Sequence, residues 1–134
     1  MKRLAGPARR LALQLSLGLA ACGGFALLGS AANAQTMREA QGAELRWLDK
    51  MSGEAADVEL SRGQSAVWGR LTIQLDSCRY PEDNIAGEAF AHLTIRDSVA
   101  NAAVFSGWMV ASSPALSALD HARYDVWVLR CLAK

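Results

Sequence analysis

The sequence predicts an all-β domain: a small sandwich or barrel of about 6–8 short strands with one short helical turn, preceded by a signal peptide. Three observations lead there. Leu71, Ile73 and Leu75 alternate with Thr72, Gln74 and Asp76, the period of a half-buried strand. Turn-forming residues punctuate the chain at short intervals. The first 34 residues have the composition of an export label, which leaves 100 of the 134 for one small core.

The export label has three parts. Lys2, Arg3, Arg9 and Arg10 make a basic start, Leu11 to Leu28 is almost continuously apolar, and Ala32-Asn33-Ala34 forms an A-x-A cleavage site. The chain therefore divides into a signal peptide (1–34), a flexible lead-in (35–43) and a single β domain (44–134). Leu19-Ala20-Ala21-Cys22-Gly23 also fits a lipobox, so lipidation at Cys22 is an alternative route of processing, and an uncleaved anchor is a third. The expected location is periplasmic or secreted.

Charge narrows the partners. Four of the 14 basic residues lie in the label and none of the 13 acidic ones, so the remainder has 10 basic and 13 acidic residues, net −3. No basic block survives to attract nucleic acid. Membrane contact is expected only through the label itself, if it is uncleaved or lipidated. Outside the label two cysteines remain, Cys78 and Cys131. In an oxidising compartment an even pair without C-x-x-C spacing reads as a disulfide. Closing a loop of about 54 residues is worth roughly 4 kcal/mol in the chain-entropy account.

The elements follow in order. Leu45 and Trp47 share a face, Asp49 to Gly53 turns, and Val58 and Leu60 return in phase, which makes a hairpin. Ser61 to Gln64 turns again before a short strand over Ser65 to Trp68, and Gly69 marks a bend. The strand from Arg70 to Asp76 is followed by a loop over Arg79 to Gly87. Ala89 to Arg96 is a strand with Ala91, Leu93 and Ile95 inward, Asp97 to Asn101 turns, and the apolar run Ala103 to Val110 reads as a buried strand. Ser113 before Pro114 suggests a helix cap with proline at the first position. The last strand, Tyr124 to Cys131, places Tyr124, Val126 and Val128 on one face and Trp127, Leu129 and Cys131 on the other.

Candidate functional residues concentrate late in the chain. Ser112 or Ser113 with His121 and Asp120 or Asp125 supplies the residue types of a serine hydrolase, without a G-x-S-x-G elbow. His92 and His121 lack metal-ligand spacing, so no metal and no cofactor is implied. Of the four tryptophans, Trp108 is expected in the core and Trp68 as a partly exposed anchor.

The string Phe105-Ser106-Gly107-Trp108-Met109-Val110-Ala111-Ser112-Ser113-Pro114, continuing through Asp120-His121 to Tyr124-Asp125-Val126-Trp127 and Cys131, resembles the signature of a family of exported proteobacterial proteins, domain of unknown function 2155. Gly69-Arg70-Leu71, Cys78 and Leu93 to Asp97 also fit, and the resemblance spans roughly residues 43 to 131. It implies an exported bacterial protein and no particular activity. The chain departs from the family's usual pattern at Ala122, where proline follows the histidine, and at Val110, where an aromatic residue is common. The composition around this signature suits capture of a peptide or another envelope protein, with Trp108, Ser112, Ser113, His121, Tyr124 and Asp125 as the binding residues. The alternatives are a structural envelope component without a discrete site and a small hydrolase using the Ser112–Asp125 region.

Overall fold

A computed structural model describes residues 33–133. The export label read over residues 1–34, with Cys22, lies outside the described residues except for Asn33 and Ala34. The domain is all-β: eight strands in two antiparallel sheets face each other as a sandwich, with one short 3-10 turn at Pro114–Leu116. The strands are β1 (Met37–Glu39), β2 (Gly42–Asp49), β3 (Ala55–Ser61), β4 (Ser65–Trp68), β5 (Leu71–Pro81), β6 (Phe90–Asp97), β7 (Ala102–Val110) and β8 (Tyr124–Leu132). The larger sheet runs β1-β5-β6-β7. Strand β4 shares an edge of β5 with β1, pairing with Leu71–Gln74 while β1 pairs with Arg79–Pro81. The smaller sheet runs β3-β2-β8.

Alternation builds the core. Leu71, Ile73 and Leu75 of β5 and Ala91, Leu93 and Ile95 of β6 are fully buried, facing Ala43, Leu45 and Trp47 of β2 and Tyr124, Val126 and Val128 of β8. Each large aliphatic side chain so removed from water contributes about 1.5–3 kcal/mol.

Both cysteines break the phase of their own strands. Cys78 stands an odd number of residues after Leu75, and Cys131 after Val128, so strict alternation would point both away from the core. Each strand corrects this with a β-bulge. Asp76 is the extra residue between Leu75 and Ser77 in the pairing of β5 with β6, and Leu129 is the extra residue of β8 opposite Glu44 and Leu45. Beyond each bulge the faces exchange, and Cys78 and Cys131 turn inward and are disulfide-bonded between the two sheets. The expected grouping of Cys131 with Trp127 and Leu129 is thus corrected by the bulge.

Three further expectations change. Residues 35–43, read as a flexible lead-in, contain β1 and the start of β2. The loop expected from Arg79 begins later, because the bulge lets β5 keep pairing as far as Pro81. Strand β7, read as buried, is an edge strand in which only Met109 is buried. Trp108 points to the outer face and is 37% exposed, whereas Trp68 is half-buried and stacks on Trp47 at 5.8 Å.

The inter-sheet disulfide closes a long loop, so replacing both cysteines by serine is expected to lower the free energy of unfolding by about 2–4 kcal/mol. Urea denaturation of the oxidised protein and of the double variant measures it; an unchanged midpoint would contradict this role.

Candidate functional site

Two charged side chains are buried in the described domain, Asp49 at the end of β2 and Asp97 at the end of β6. Both belong to one ionic and aromatic cluster. Asp97 Oδ2 accepts from His121 Nε2 at 2.8 Å and from Arg70 Nη2 at 2.9 Å, while Oδ1 accepts from the Val99 amide at 2.8 Å. Asp49 Oδ2 accepts from Arg123 through Nη2 at 2.6 Å and Nε at 3.0 Å, and its Oδ1 accepts from the amide of Met51 at 2.9 Å.

His121 is fully engaged. Its Nδ1 accepts from the backbone amides of Arg123 at 3.0 Å and Tyr124 at 3.1 Å. With Nδ1 an acceptor, the ring proton sits on Nε2 and goes to Asp97. The imidazole therefore ties the loop entering β8 to the end of β6. Lys50 adds a second tie, donating from Nζ to the His121 carbonyl at 2.7 Å.

Aromatic packing completes the cluster. Tyr124 stacks on Trp47 at 5.6 Å and lies 5.2 Å from the His121 ring. Gly69, at φ +53°, leaves the room that the Tyr124 hydroxyl fills; a Cβ there would overlap it.

The other candidates lie elsewhere. Ser112 donates its hydroxyl to Glu88 Oε2, and its amide bonds Glu88 Oε1 at 3.0 Å. Ser113 precedes the 3-10 turn but makes no side-chain cap; its carbonyl accepts from the Leu116 amide at 3.1 Å instead. Asp125 is half-exposed, 3.4 Å from Lys50 Nζ, and lines a shallow groove with Pro114, Leu119 and Trp127. Among the described residues no serine–histidine hydrogen bond forms, because the Ser112 hydroxyl goes to Glu88 and both nitrogens of His121 are occupied. His92 and His121 are also separate: His92 Nδ1 meets Asp76 Oδ2 at 2.8 Å on the outer face of the larger sheet.

Trp108 stands on that same outer face. Its ring and that of His92 stand nearly perpendicular at 5.2 Å, and the Arg79 guanidinium lies 4.9 Å from its centroid. Met37, Arg79, Phe90 and Trp108, from four adjacent strands, bound a concavity of about 240 Å³. Asp76, the bulge residue, holds His92 beside Trp108 and also accepts from Thr94 at 2.7 Å and Gln74 at 3.0 Å. The outer face of the smaller sheet is different in kind. There, cross-strand neighbours form ion pairs, Arg46 with Asp57 and Arg130 with Glu44.

The six candidate binding residues therefore occupy separate settings. His121 and Tyr124 sit together in the buried cluster, Ser112 and Ser113 beside Glu88, Asp125 at the start of β8, and Trp108 on the open face. Sequence reasoning missed Asp49, Asp97, Arg70 and Arg123. The signal for the two aspartates was positional, since each closes a strand and opens a turn, where a carboxylate can accept the next amides. It also missed Arg79, for which nothing in the local sequence marks a role.

The buried carboxylates make stability acid-sensitive. The hydrogen bond from His121 holds Asp97 down to about 2, and the one from Arg123 does the same for Asp49, against an ordinary value of 3.8. A native value below the unfolded one gives stability that is present above the unfolded value and lost as pH falls through the native one. The urea midpoint is thus expected to fall between about pH 4 and pH 2. Asp97→Asn should lower Tm near neutral pH by on the order of 5 °C and flatten this acid limb. An acid limb unchanged in Asp97→Asn would contradict the assignment.

Comparison with known proteins places the chain in a family. A family model described as "Uncharacterized protein conserved in bacteria (DUF2155)" matches residues 43–131. "Uncharacterized protein RP359" of Rickettsia prowazekii (strain Madrid E) is 26% identical over 87 residues, which are 63% of this chain and 56% of that relative. The chain thus spans about half the length of the curated relative it matches. No solved structure matches it. The family match runs from the second residue of β2 to the disulfide cysteine of β8, and the chain belongs to the bacterial family DUF2155.

Proposed function

We propose that the protein is an exported cell-envelope binding module that captures a protein or peptide partner on the outer face of its larger sheet, around Trp108. One observation carries this reading: a large aromatic side chain stands 37% exposed beneath a guanidinium, and with two apolar side chains the pair lines a concavity that can receive a ligand group. Tryptophan and arginine dominate the energetics of binding surfaces, because they bury large area at small entropic cost. The cross-strand ion pairs of the opposite face satisfy one another and leave less to offer a ligand. An envelope location is supported by the basic, apolar and A-x-A segments of the first 34 residues and by a disulfide that suits an oxidising compartment.

In this reading His121, Tyr124 and their aspartates hold the end of the sandwich in shape, and the ligand meets Trp108. A photoreactive amino acid in place of Trp108, in the native host, is expected to give discrete crosslinked adducts. The same group at Glu59, exposed on the outer side of the smaller sheet, should give few. Equal yields from both positions, or none from position 108, would overturn the assignment of the face.

A further inference from the structure

The larger sheet ends in an unusual edge. Natural sheets blunt their edges with short strands, charge or proline, since an open edge invites another strand. The other edges of this domain follow that rule. Strand β1 has three residues, β4 has four, β3 carries Asp57 and Glu59, and β8 carries Asp125 and Arg130. Strand β7 is nine residues long, Ala-Ala-Val-Phe-Ser-Gly-Trp-Met-Val, with neither charge nor proline. Among the described residues it pairs only with β6.

The phase of the pairing shows which of its backbone groups are free. The Ala111 amide donates to the Ala89 carbonyl at 2.9 Å, in register with the β6–β7 ladder. In an antiparallel pair, successive residues bond alternately toward and away from the neighbour. Met109 and Gly107 therefore bond β6, and the amides of Ser106, Trp108 and Val110 point outward. Among the described residues, no backbone group donates to the outward carbonyls of Ser106 and Trp108; the Val110 carbonyl accepts from Ser113 at 3.2 Å.

The groove beside this edge holds a guanidinium without a direct ion pair, because Glu39, opposite Arg79 in the β1–β5 pairing, is engaged by Ser77 and Arg62. Among the described residues, Arg79 and Arg96 are the cations without a carboxylate within salt-bridge distance. Stacked on Trp108, the Arg79 guanidinium reaches from β5 across β6 toward β7. We infer that the free edge of β7 and the adjoining Trp108–Arg79 groove take up one extended peptide: its main chain adds a strand to β7, an apolar side chain lies on Trp108, and an acidic side chain meets Arg79. This rests on the proposed binding face and names its ligand. Main-chain bonds supply the affinity in such strand addition, and alternate side chains the specificity. A second copy of this chain fits less well. Its own edge and groove would bring another Arg79 but no uncommitted carboxylate, because Asp76 is held by His92, Thr94 and Gln74, and Glu39 by Ser77 and Arg62.

The test begins with a phage-displayed library of random dodecapeptides, selected on the purified protein. Enriched peptides should alternate apolar residues and include an aspartate or glutamate. Methylating the backbone nitrogens of one alternating set of an enriched peptide should weaken binding about tenfold or more, and methylating the other set should change it less than about twofold. Arg79→Gln should weaken the acidic peptide about tenfold and leave its amide counterpart unchanged. Binding indifferent to methylation but lost in Trp108→Ala would remove the strand addition and keep the face. Binding that survives Trp108→Ala would remove both. A failure to enrich any sequence, or a dimer in ultracentrifugation that Ser106→Pro abolishes, would overturn the peptide as occupant.

Discussion

A carboxylate without water must be answered by donors, and Asp97 sets the terms for one end of this sandwich. It closes β6, turns the chain through the Val99 amide, and draws in Arg70 from the turn before β5 and His121 from the loop before β8. These are the points at which both sheets must be held together, since β6 belongs to one and β8 to the other. Removing one partner of such a group leaves the other buried and unanswered, which costs more than the contact itself contributes. Asp49 repeats the device from β2 with Arg123, two residues after His121. The loop into β8 is therefore anchored to both sheets within three residues.

The disulfide plays the matching part elsewhere in the sandwich, and it depends on two irregularities. Without the bulges at Asp76 and Leu129, neither Cys78 nor Cys131 would face its partner. Asp76 has a second consequence. It keeps the outward phase of Thr72 and Gln74, and there it positions His92 against Trp108. One insertion thus serves both the crosslink within and the surface without.

Much of this was legible from residue order alone. The β2–β3 hairpin, the inward set Leu71, Ile73 and Leu75, and the turn at Asp97 follow from alternation and turn chemistry. The cysteines also held a readable clue, since both are out of phase with the strands around them, and a disulfide between out-of-phase positions requires bulges. Trp108 was not legible. An apolar run has the same composition at an edge as at the centre of a sheet, and only pairing order tells them apart. For the same reason the signature around His121 suggested a ligand platform. Serine, histidine and aspartate close in sequence do not reveal that Asp97 and two backbone amides already occupy the imidazole.

On the proposed reading, the groups that hold the sandwich together and the groups that meet a ligand lie apart in the domain. The inner ends of β6 and β8 spend their polar groups on each other, while the outer side of β5, β6 and β7 keeps an aromatic ring, a guanidinium and an open edge unspent. This division is most directly tested at the His121 ring. A long-range 1H–15N spectrum of the imidazole, in mildly alkaline buffer, should show a fixed tautomer with the proton on Nε2 and Nδ1 accepting from the Arg123 and Tyr124 amides. A ring protonated on Nδ1, or exchanging between tautomers, would show an imidazole free for chemistry and contradict its place as a tie between the sheets.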